Sequence, residues 1–232
     1  MLYNRQSVQD NIRNRDKQRV FYLGKGDQLT SDARDWLNSQ RIPILPASEA
    51  RPERYRLLGG GYLEEKPEHM THLNGDILVV KTHPRIAFRG ALDCLQAELL
   101  LCISKATTHK EELKQALELS RNILSHEVLD EPMKPVQLGG LTDEQLRSHS
   151  HRPQDFYGQP HFMPSARDGE PLLRVNRARC AARAAELKAV EAFSDREGNP
   201  TRPDVLKALN RLSSMLYIIM IQIKAGISER KV

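Results

Sequence analysis

The chain has 232 residues, of which 39% are hydrophobic, 28% charged and 5% aromatic, and its 35 basic and 30 acidic residues give a net charge of +5. This length fits one domain with an appendage or two small domains, and the prevalence of Leu and Ala among the apolar residues favours helices. The basic residues are dispersed, without a Lys/Arg run or interleaved aromatics, which argues against nucleic-acid binding. The positive excess also fits a smaller anionic ligand, such as a nucleotide triphosphate.

No segment has the pattern of an export signal or a membrane span. Residues 1–18 are too polar for a signal peptide, and the longest apolar run, Met215–Ile223, is too short to cross a bilayer. The cysteines Cys94, Cys102 and Cys180 share no C-x-x-C spacing and fall in helical patterns, so we expect buried free thiols. These features predict a cytoplasmic protein.

Residues 1–50 predict a small α/β appendage. Arg19–Leu23 is a strand candidate, Thr30–Leu37 predicts a capped helix, and Ile42–Pro46 is a second apolar segment that its prolines confine to an edge. The polar residues before Arg19 predict either a charged helix or a loose arm. The appendage carries no cluster of catalytic residue types.

Residues 51–70 contain three consecutive glycines and many charges, which predicts an exposed linker. The remaining part, residues 71–232, begins with a turn and an apolar, strand-like run and then becomes helical. Four stripes at helical spacing are expected to face a core: Phe88, Leu92, Leu95, Leu99 and Cys102; Leu113, Ala116, Leu117, Ser120, Ile123 and Leu124; Leu173, Cys180, Ala184, Leu187 and Val190; Val205, Leu209, Leu212, Leu216, Ile219 and Ile223. The sequence therefore predicts a mainly α fold, an up-and-down helical bundle with an α/β appendage.

Helix starts are predicted from capping patterns. Thr108 with Glu111, and Thr201 with Asp204, have the spacing of capping boxes. A short helix is expected around Thr142–Ser148, within a segment that otherwise predicts a loop rich in His, Pro and aromatic residues.

Arg179, Arg183 and Glu186 lie at i, i+4 and i+7 on one face of the third bundle helix. One hypothesis is a solvated, charged surface. The other is a guanidinium pair that binds phosphate oxygens, with Glu186 holding one arginine in place.

The last helix carries a polar stripe, Asn210, Ser214 and Tyr217, with Arg211 beside it. A helix this hydrophobic should be buried, so these polar groups must meet either neighbouring side chains or a ligand. Both alternatives remain open at this stage.

Asp93 follows Arg89 by one helical turn, which predicts either an intrahelical ion pair or a pair with an arginine on a facing helix. Lys81, ahead of a helix that starts with proline, would present charge and backbone N–H groups to phosphates. No Walker or dinucleotide-binding motif is present, and His149, His151 and His161 lack zinc-ligand spacing with the cysteines.

Three of these segments, in this order, resemble the ATP:corrinoid adenosyltransferases. Asp93 resembles the aspartate of their first bundle helix, Arg179-x3-Arg183-x2-Glu186 their arginine helix, and Leu209–Ser213 the Leu-Asn-Arg-Leu-Ser signature of their last helix. The chain is similar in particular to the ethanolamine-utilisation branch of that superfamily, in these segments: Leu29–Arg34, Thr71–Leu73, Lys81–Asp93, Asp130–Pro132, His161–Pro164 and Arg202–Tyr217. The resemblance covers most of residues 25–222.

The resemblance implies an enzyme that transfers the 5′-deoxyadenosyl group of ATP to the cobalt of reduced cob(I)alamin, giving adenosylcobalamin for ethanolamine ammonia-lyase. In this chemistry Co(I) is the nucleophile and C5′ of ATP the electrophile. The protein positions both and neutralises the leaving triphosphate, with Mg²⁺ assisting. The implied partners are a reductase and ethanolamine ammonia-lyase, and the implied assembly is a homo-oligomer, a trimer or a dimer.

Site residues follow from the matching positions. The resemblance implies a catalytic set of Asp93, Arg179, Arg183 and Asn210. It implies an ATP-binding set of Lys81, Thr82, Arg89, Arg179, Arg183, Glu186, Asn210 and Arg211. It implies that His161, Phe162 and Tyr217 contact the corrinoid, where an apolar wall that excludes water would replace the lower axial ligand of cobalt and ease reduction of Co(II).

Some ethanolamine-type members bind a divalent metal through a His and a cysteine cluster ahead of the bundle. In this chain no cysteine precedes Cys94, so we expect a metal-independent linker and no metal held by protein side chains.

Two other hypotheses compete with the enzyme. A non-catalytic corrinoid- or ATP-binding carrier would keep the bundle, but it would not need Asp93, Arg179, Arg183 and Asn210 together. An interaction module in residues 1–50 would dock on a bacterial microcompartment or a reductase, and it is compatible with transfer.

Overall fold

The computed structural model describes residues 1–15, 18–50, 55–63 and 65–228. The α-helices of this part are α1 (Arg5–Asp10), α2 (Ser31–Ser39), α3 (Pro84–Lys105), α4 (Lys110–Leu129), α5 (Asp143–His151), α6 (Pro153–Tyr157), α7 (Gly169–Ala192) and α8 (Pro203–Lys224). The strands are β1 (Leu2–Tyr3), β2 (Arg13–Arg15), β3 (Gln18–Leu23), β4 (Gln28–Leu29), β5 (Ile44–Pro46), β6 (Tyr55–Leu57), β7 (Tyr62–Leu63), β8 (Met70–Asn74) and β9 (Ile77–Val80). The chain divides into two compact units, Met1–Arg56 with Gly60–Glu65 and Leu57–Gly59 with Lys66–Val232.

The first unit is a small α/β structure. β3 and β5 pair in parallel and α2 connects them, so the predicted strand, helix and edge strand are confirmed. Before them, β2 pairs antiparallel with β3, and β1 pairs in parallel with β4. The loose arm considered for the first residues is therefore wrong, because this segment is folded and its α1 contributes Val8 to the core. That core consists of Val8, Phe21, Ala33, Leu37 and Ile42.

The predicted linker contains regular structure. Residues 51–54 and 64 lie outside the described part of the chain, but between them β6 and β7 form an antiparallel hairpin in which Tyr55 faces Leu63 and Arg56 faces Tyr62. In the second unit, β8 and β9 form another antiparallel hairpin, which ends directly before α3.

Four long helices, α3, α4, α7 and α8, form the bundle of the second unit. Neighbours run antiparallel around it in the order α3, α4, α8, α7, as contacts near the helix ends show: Arg85 with Glu127, Met133 with Asp204, Asn210 with Glu186, and Arg177 with Glu98. The predicted helical bundle is confirmed. In this order α4 and α7 are diagonally opposite, and the chain between them carries α5, which packs on α8, and α6.

The inward faces of α3, α4 and α8 match the predicted stripes. Every member named for them is buried except Leu124 and Ile223, which are partly buried against the same core. Large aliphatic side chains determine these faces, because each buries enough apolar surface to fix the rotation of its helix.

The inward face predicted for α7 is wrong. Cys180, Ala184, Leu187 and Val190 are exposed, Leu187 to 67%, and Leu173 is only half-buried. The buried face is instead Leu172, Val175, Ala178, Ala182, Ala185 and Ala189. Since α7 packs against both α3 and α8, small alanines on that face let the helix axes approach closely, and the bulkier residues lie outside.

Both predicted capping boxes are wrong because tertiary contacts determine these helix starts. α4 begins after His109, whose φ is 57° and whose Nε2 lies 3.1 Å from the carbonyl oxygen of Ile227. At α8, the Thr201 hydroxyl donates to the Phe193 carbonyl, at 2.9 Å. Asp204 accepts hydrogen bonds from the Met133 backbone N–H, at 2.9 Å, and from Arg202.

Of the three cysteines, only Cys102 is buried, and burial raises the pKa of its thiol to about 11. Cys94 and Cys180 are exposed, so the expectation of buried thiols is wrong for these two. Within the described ranges, no helix is both long enough and apolar enough to cross a membrane.

Candidate functional site

One edge of the bundle, between α7 and α8, brings together most of the predicted site. Arg179, Arg183 and Glu186 share a face of α7. At one end of that face, the guanidinium carbon of Arg179 lies 5.6 Å from the centre of the Tyr217 ring. At the other end, Glu186 Oε1 accepts a hydrogen bond of 3.0 Å from Asn210 Nδ2. Glu186 was predicted to hold an arginine, and it holds Asn210 instead.

Arg183 lies between these two contacts on α7 and is exposed. It makes no hydrogen bond or ion pair with any other residue in the described ranges. An exposed guanidinium beside a polar stripe retains all of its donors for an anion such as a phosphate group. The α7–α8 edge therefore has the chemistry of an anion site.

Arg211 joins this edge to α5. It is 9% exposed, its Nε donates to Asp143 Oδ1, and its Nη1 donates to Asn210 Oδ1 at 2.6 Å. Lys207 bonds the other carboxylate oxygen of Asp143. Burial alone would raise the pKa of Asp143, but the hydrogen bonds and charges of Lys207 and Arg211 hold it below its usual range, so the carboxylate stays ionised.

The three residues predicted to contact a corrinoid lie together next to Arg179. The His161 and Tyr217 rings stack with centres 5.8 Å apart, and Phe162 lies 6.5 Å from Tyr217. His161 Nε2 lies 3.1 Å from the carbonyl oxygen of His151, which can only accept, so Nε2 carries a proton. On the other side of the ring, Nδ1 lies 2.8 Å from the Tyr217 hydroxyl. Burial raises the pKa of Tyr217 and keeps that hydroxyl protonated.

The remaining predicted residues lie at the start of α3. Lys81 and Thr82 are exposed, and His83 caps the helix by accepting a hydrogen bond from the Arg85 backbone N–H. Burial lowers the pKa of His83, and the charges of Arg85 and Arg89 lower it further, so its ring stays neutral and can accept this bond.

Asp93 forms neither of its predicted ion pairs within the described ranges. It is exposed and shares a flank of α3 with Arg89, one turn earlier. Arg89 bonds Glu127 of α4, so this flank borders α4. The α3–α4 edge is opposite to the α7–α8 edge, so a single chain does not bring Arg89 and Asp93 next to the arginines of α7.

Glu127 is the feature that the sequence reasoning missed. Its side chain is 0% exposed and accepts hydrogen bonds from Arg85 Nε at 2.5 Å and from Arg89 Nε at 2.6 Å. Arg85 also donates to the backbone carbonyl of Glu127, and Arg89 to that of Leu73. A signal existed: Glu127 continues the inward stripe of α4, four residues after Ile123, and a carboxylate on such a stripe requires cationic partners.

Within the described part of the chain, no three His, Cys, Asp or Glu side chains lie close enough together to hold a metal ion.

Comparison with known proteins connects these edges to a family. The chain is 31% identical over 225 residues to the corrinoid adenosyltransferase EutT of Salmonella typhimurium, covering 87% of this chain and 84% of that protein. It is 34% identical to EutT of Escherichia coli K12 over the same shares. Among solved structures, a variant PduO-type ATP:corrinoid adenosyltransferase from Lactobacillus reuteri, complexed with cobalamin and ATP, matches with a TM-score of 0.49 and 17% identity over 77% of this chain and 95% of that chain.

The family model described as cobalamin adenosyltransferase matches residues 61–223, a range that contains α3, α4 and α7 and all of α8 except its last residue. The chain belongs to the cobalamin adenosyltransferase family.

Proposed function

We propose that this protein transfers the 5′-deoxyadenosyl group of ATP to the cobalt of a reduced corrinoid. Co(I) attacks C5′ of ATP, a Co–C bond forms, and the C5′–O bond breaks, so that its electron pair leaves with the triphosphate. The observation that carries the proposal is the adjacency of two features, which Arg179 joins. One is Arg183, which is exposed and has no partner among the described residues, and the other is the cluster of His161, Phe162 and Tyr217. A polyanion and a large planar ligand can bind side by side there.

In this proposal Arg179 and Arg183 bind the phosphates of ATP. Their charge offsets the negative charge that grows on the leaving triphosphate, so they contribute more in the transition state than in the ground state. Asn210 contacts the nucleotide, and Arg211 and Glu186 hold its amide. Mg²⁺ enters as part of the substrate, on phosphate oxygens.

The aromatic cluster supplies the corrinoid side of the site. We propose that His161, Phe162 and Tyr217 form a wall that excludes water from the lower face of cobalt and displaces its axial ligand. The contacts of His161 with Tyr217 and with the carbonyl oxygen of His151 fix the orientation of its ring in this wall.

The residues of the α3–α4 edge enter the proposal through a second copy of the chain. Arg89 and Asp93 lie on the edge opposite to the arginines of α7, so a partner subunit would have to present them to the same ATP. Lys81 and Thr82, which directly precede the same helix, would come from that partner as well. This predicts a homo-oligomer, a dimer or a trimer, with sites shared between subunits. Mixing inactive Asp93→Ala and Arg183→Ala proteins tests it, because hybrid interfaces would contain one intact site and regain transfer. Mixtures that stay inactive after subunit exchange would exclude sharing.

We further propose that the product serves ethanolamine ammonia-lyase and that a reductase supplies Co(I). The similarity to EutT over most of both chains supports this setting.

The decisive experiment is transfer itself. Purified protein, ATP, Mg²⁺ and chemically reduced cobalamin are mixed, and the absorbance change to adenosylcobalamin is followed. Arg183→Ala should abolish most of the turnover. Arg177→Ala is the matched control, because Arg177 is on the same helix but pairs with Glu98 of α3. A chelator-treated sample with Mg²⁺ restored should retain activity. A wild-type protein that binds ATP or cobalamin but never transfers would support a carrier instead.

A further inference from the structure

A chain of polar contacts connects three helices of the second unit, from Asp143 of α5 through Arg211 and Asn210 of α8 to Glu186 of α7. It begins at Asp143, the first residue of α5, whose two carboxylate oxygens have different donors: Arg211 bonds Oδ1 and Lys207 bonds Oδ2. Because Arg211 is only 9% exposed, its positive charge needs a counter-charge from the protein. Asp143 is the only carboxylate paired with it within the described ranges.

The guanidinium of Arg211 connects Asp143 to Asn210. The group is planar and rigid, so pairing of Nε with Asp143 also fixes the direction of Nη1, which donates to Asn210 Oδ1 at 2.6 Å. On the other side, Asn210 Nδ2 donates to Glu186 Oε1 at 3.0 Å. Both ends of the amide are thereby held, and one amide N–H remains unused for a ligand.

We propose that Asp143 is a positioning residue of the nucleotide site, which fixes the Asn210 amide through Arg211 so that its free N–H is directed at ATP. The inference rests on the proposed function, in which Asn210 contacts ATP. Without the Asp143 carboxylate, the buried guanidinium of Arg211 would lose its one carboxylate partner in the described ranges and, with it, the contact that fixes its direction towards Asn210. The amide would then turn away from the nucleotide.

The alternative is a purely structural role, in which Asp143 only holds α5 against α8. Lys207 separates the two roles because it bonds the same carboxylate but does not bond Asn210. Its side chain is 58% exposed, so its removal leaves no buried charge behind. Lys207→Met is therefore the matched control for Asp143→Asn.

The first test measures the dissociation constant of ATP by calorimetry without corrinoid, together with KM and kcat of transfer. For Asp143→Asn we expect the dissociation constant and KM for ATP to rise about tenfold, the loss of roughly one hydrogen bond to the nucleotide, with KM for cob(I)alamin unchanged. For Lys207→Met we expect ATP binding within about twofold of wild type. Equal effects of the two substitutions would overturn the inference.

The second test is a double-mutant cycle with Asn210→Ala. If Asp143 acts through Asn210, Asp143→Asn changes ATP affinity by less than about twofold in the Asn210→Ala background. If the two residues act independently, the fold-changes in ATP affinity of the two single variants multiply in the double variant. Circular dichroism and thermal melts check folding of each variant. Should Asp143→Asn not fold, Arg211→Lys replaces it in the same cycle, because a lysine keeps the charge but lacks the second nitrogen that reaches Asn210.

The outcomes separate this inference from the proposed function. Wild-type protein that transfers, combined with multiplying effects in the cycle, removes the role of Asp143 and leaves the enzyme intact. Wild-type protein that binds ATP without transfer removes the enzyme, while the cycle on ATP affinity still decides about Asp143. Wild-type protein that does not bind ATP overturns both.

Discussion

The two opposite edges of the bundle use arginine in contrasting ways. On the α3–α4 edge, Arg85 and Arg89 are both engaged by the buried carboxylate of Glu127 and by backbone carbonyls. On the α7–α8 edge, Arg183 is exposed and has no partner in the described ranges, and Arg179 contacts Asn176 and the face of Tyr217. An arginine whose donors are already used holds the fold together, whereas one that keeps its donors free is available to a ligand. This contrast supports the proposal that Arg179 and Arg183 of the α7–α8 edge bind the phosphates of ATP.

The largest expected effect concerns the α3–α4 edge. Glu127→Gln leaves two partly buried guanidinium groups without a counter-charge, so we expect the free energy of unfolding to fall by about 3 kcal/mol. Urea denaturation followed by circular dichroism measures it. Glu118→Gln, at an exposed position of the same helix, should stay within about 0.5 kcal/mol of wild type. Equal stabilities of the two variants would remove the distinction between the edges.

On the α7–α8 edge, we expect loss of an arginine to lower activity and to leave stability unchanged. For Arg183→Ala we expect kcat/KM for ATP to fall about 100-fold, equal to about 2.8 kcal/mol, because a phosphate loses a charged, bidentate partner. The free energy of unfolding should change by less than about 0.5 kcal/mol, since no contact within the described fold is lost. Steady-state kinetics and urea melts on one preparation test both halves. A clear loss of stability would show that Arg183 is structural.

Asp204 offers an intermediate case, a partly exposed carboxylate between the end of α4 and the start of α8. Burial raises its pKa, but the hydrogen bonds from Arg202 and the Met133 backbone N–H outweigh this and lower it from 3.8 to about 2. Because the folded-state pKa lies below the unfolded one, ionised Asp204 stabilises the fold above about pH 4, and this contribution is lost as the pH falls to about 2.

Replacement of Asp204 by Asn should therefore lower stability by roughly 1 kcal/mol near neutral pH, after allowance for solvent screening, and the difference should shrink between about pH 4 and pH 2. Denaturation of both proteins across this range measures the convergence. A difference that stays constant with pH would mean that the ion pair with Arg202 contributes nothing.

The last prediction concerns the accessibility of the three thiols and involves no change in the free energy of unfolding. It tests which faces of α3 and α7 are exposed. Cys94 and Cys180 are exposed and Cys102 is buried with a raised pKa, so Ellman's reagent should modify two thiols in the native protein and three after unfolding. The Cys94→Ser/Cys180→Ser variant should show no native reaction. Reaction of Cys102 in that variant would contradict the inward face assigned to α3.

Large aliphatic residues explain where the sequence predicted the fold correctly. On α3 and α8, residues such as Leu92 and Leu216 determine the buried face whichever neighbour they meet. On α7 the same reasoning chose Leu187 and Val190, although the close approach to two neighbouring helices selects alanine. Hydrophobicity ranks alanine below leucine, so no periodicity argument reveals that closeness before the helix neighbours are known.

Spacing alone could group candidate-site residues only where they share a helix, whereas the grouping of His161 and Phe162 with Tyr217 came from the family resemblance. The spacing of Arg179, Arg183 and Glu186 places them on one face of α7, and Tyr217 lies two turns from Asn210 on α8. Contacts between distant segments had no such signal, and Asp143 meets Arg211 across 68 positions of sequence. Glu127 is the exception, since a carboxylate on an apolar stripe could have been recognised.

The order of the helices around the bundle also has a kinetic consequence. α3 with α4, and α7 with α8, are hairpins closed by short connections, so each can form from contacts close in sequence. Joining them requires α3 to find α7 after the long connection through α5 and α6 has closed, which is the slow, entropically costly step. We expect pulse-labelled amides of the two hairpins to become protected from exchange before those of α5, and simultaneous protection would contradict this order. Since α5 carries Asp143, the proposed nucleotide site would then form last, and a newly made chain would be helical before that site was complete.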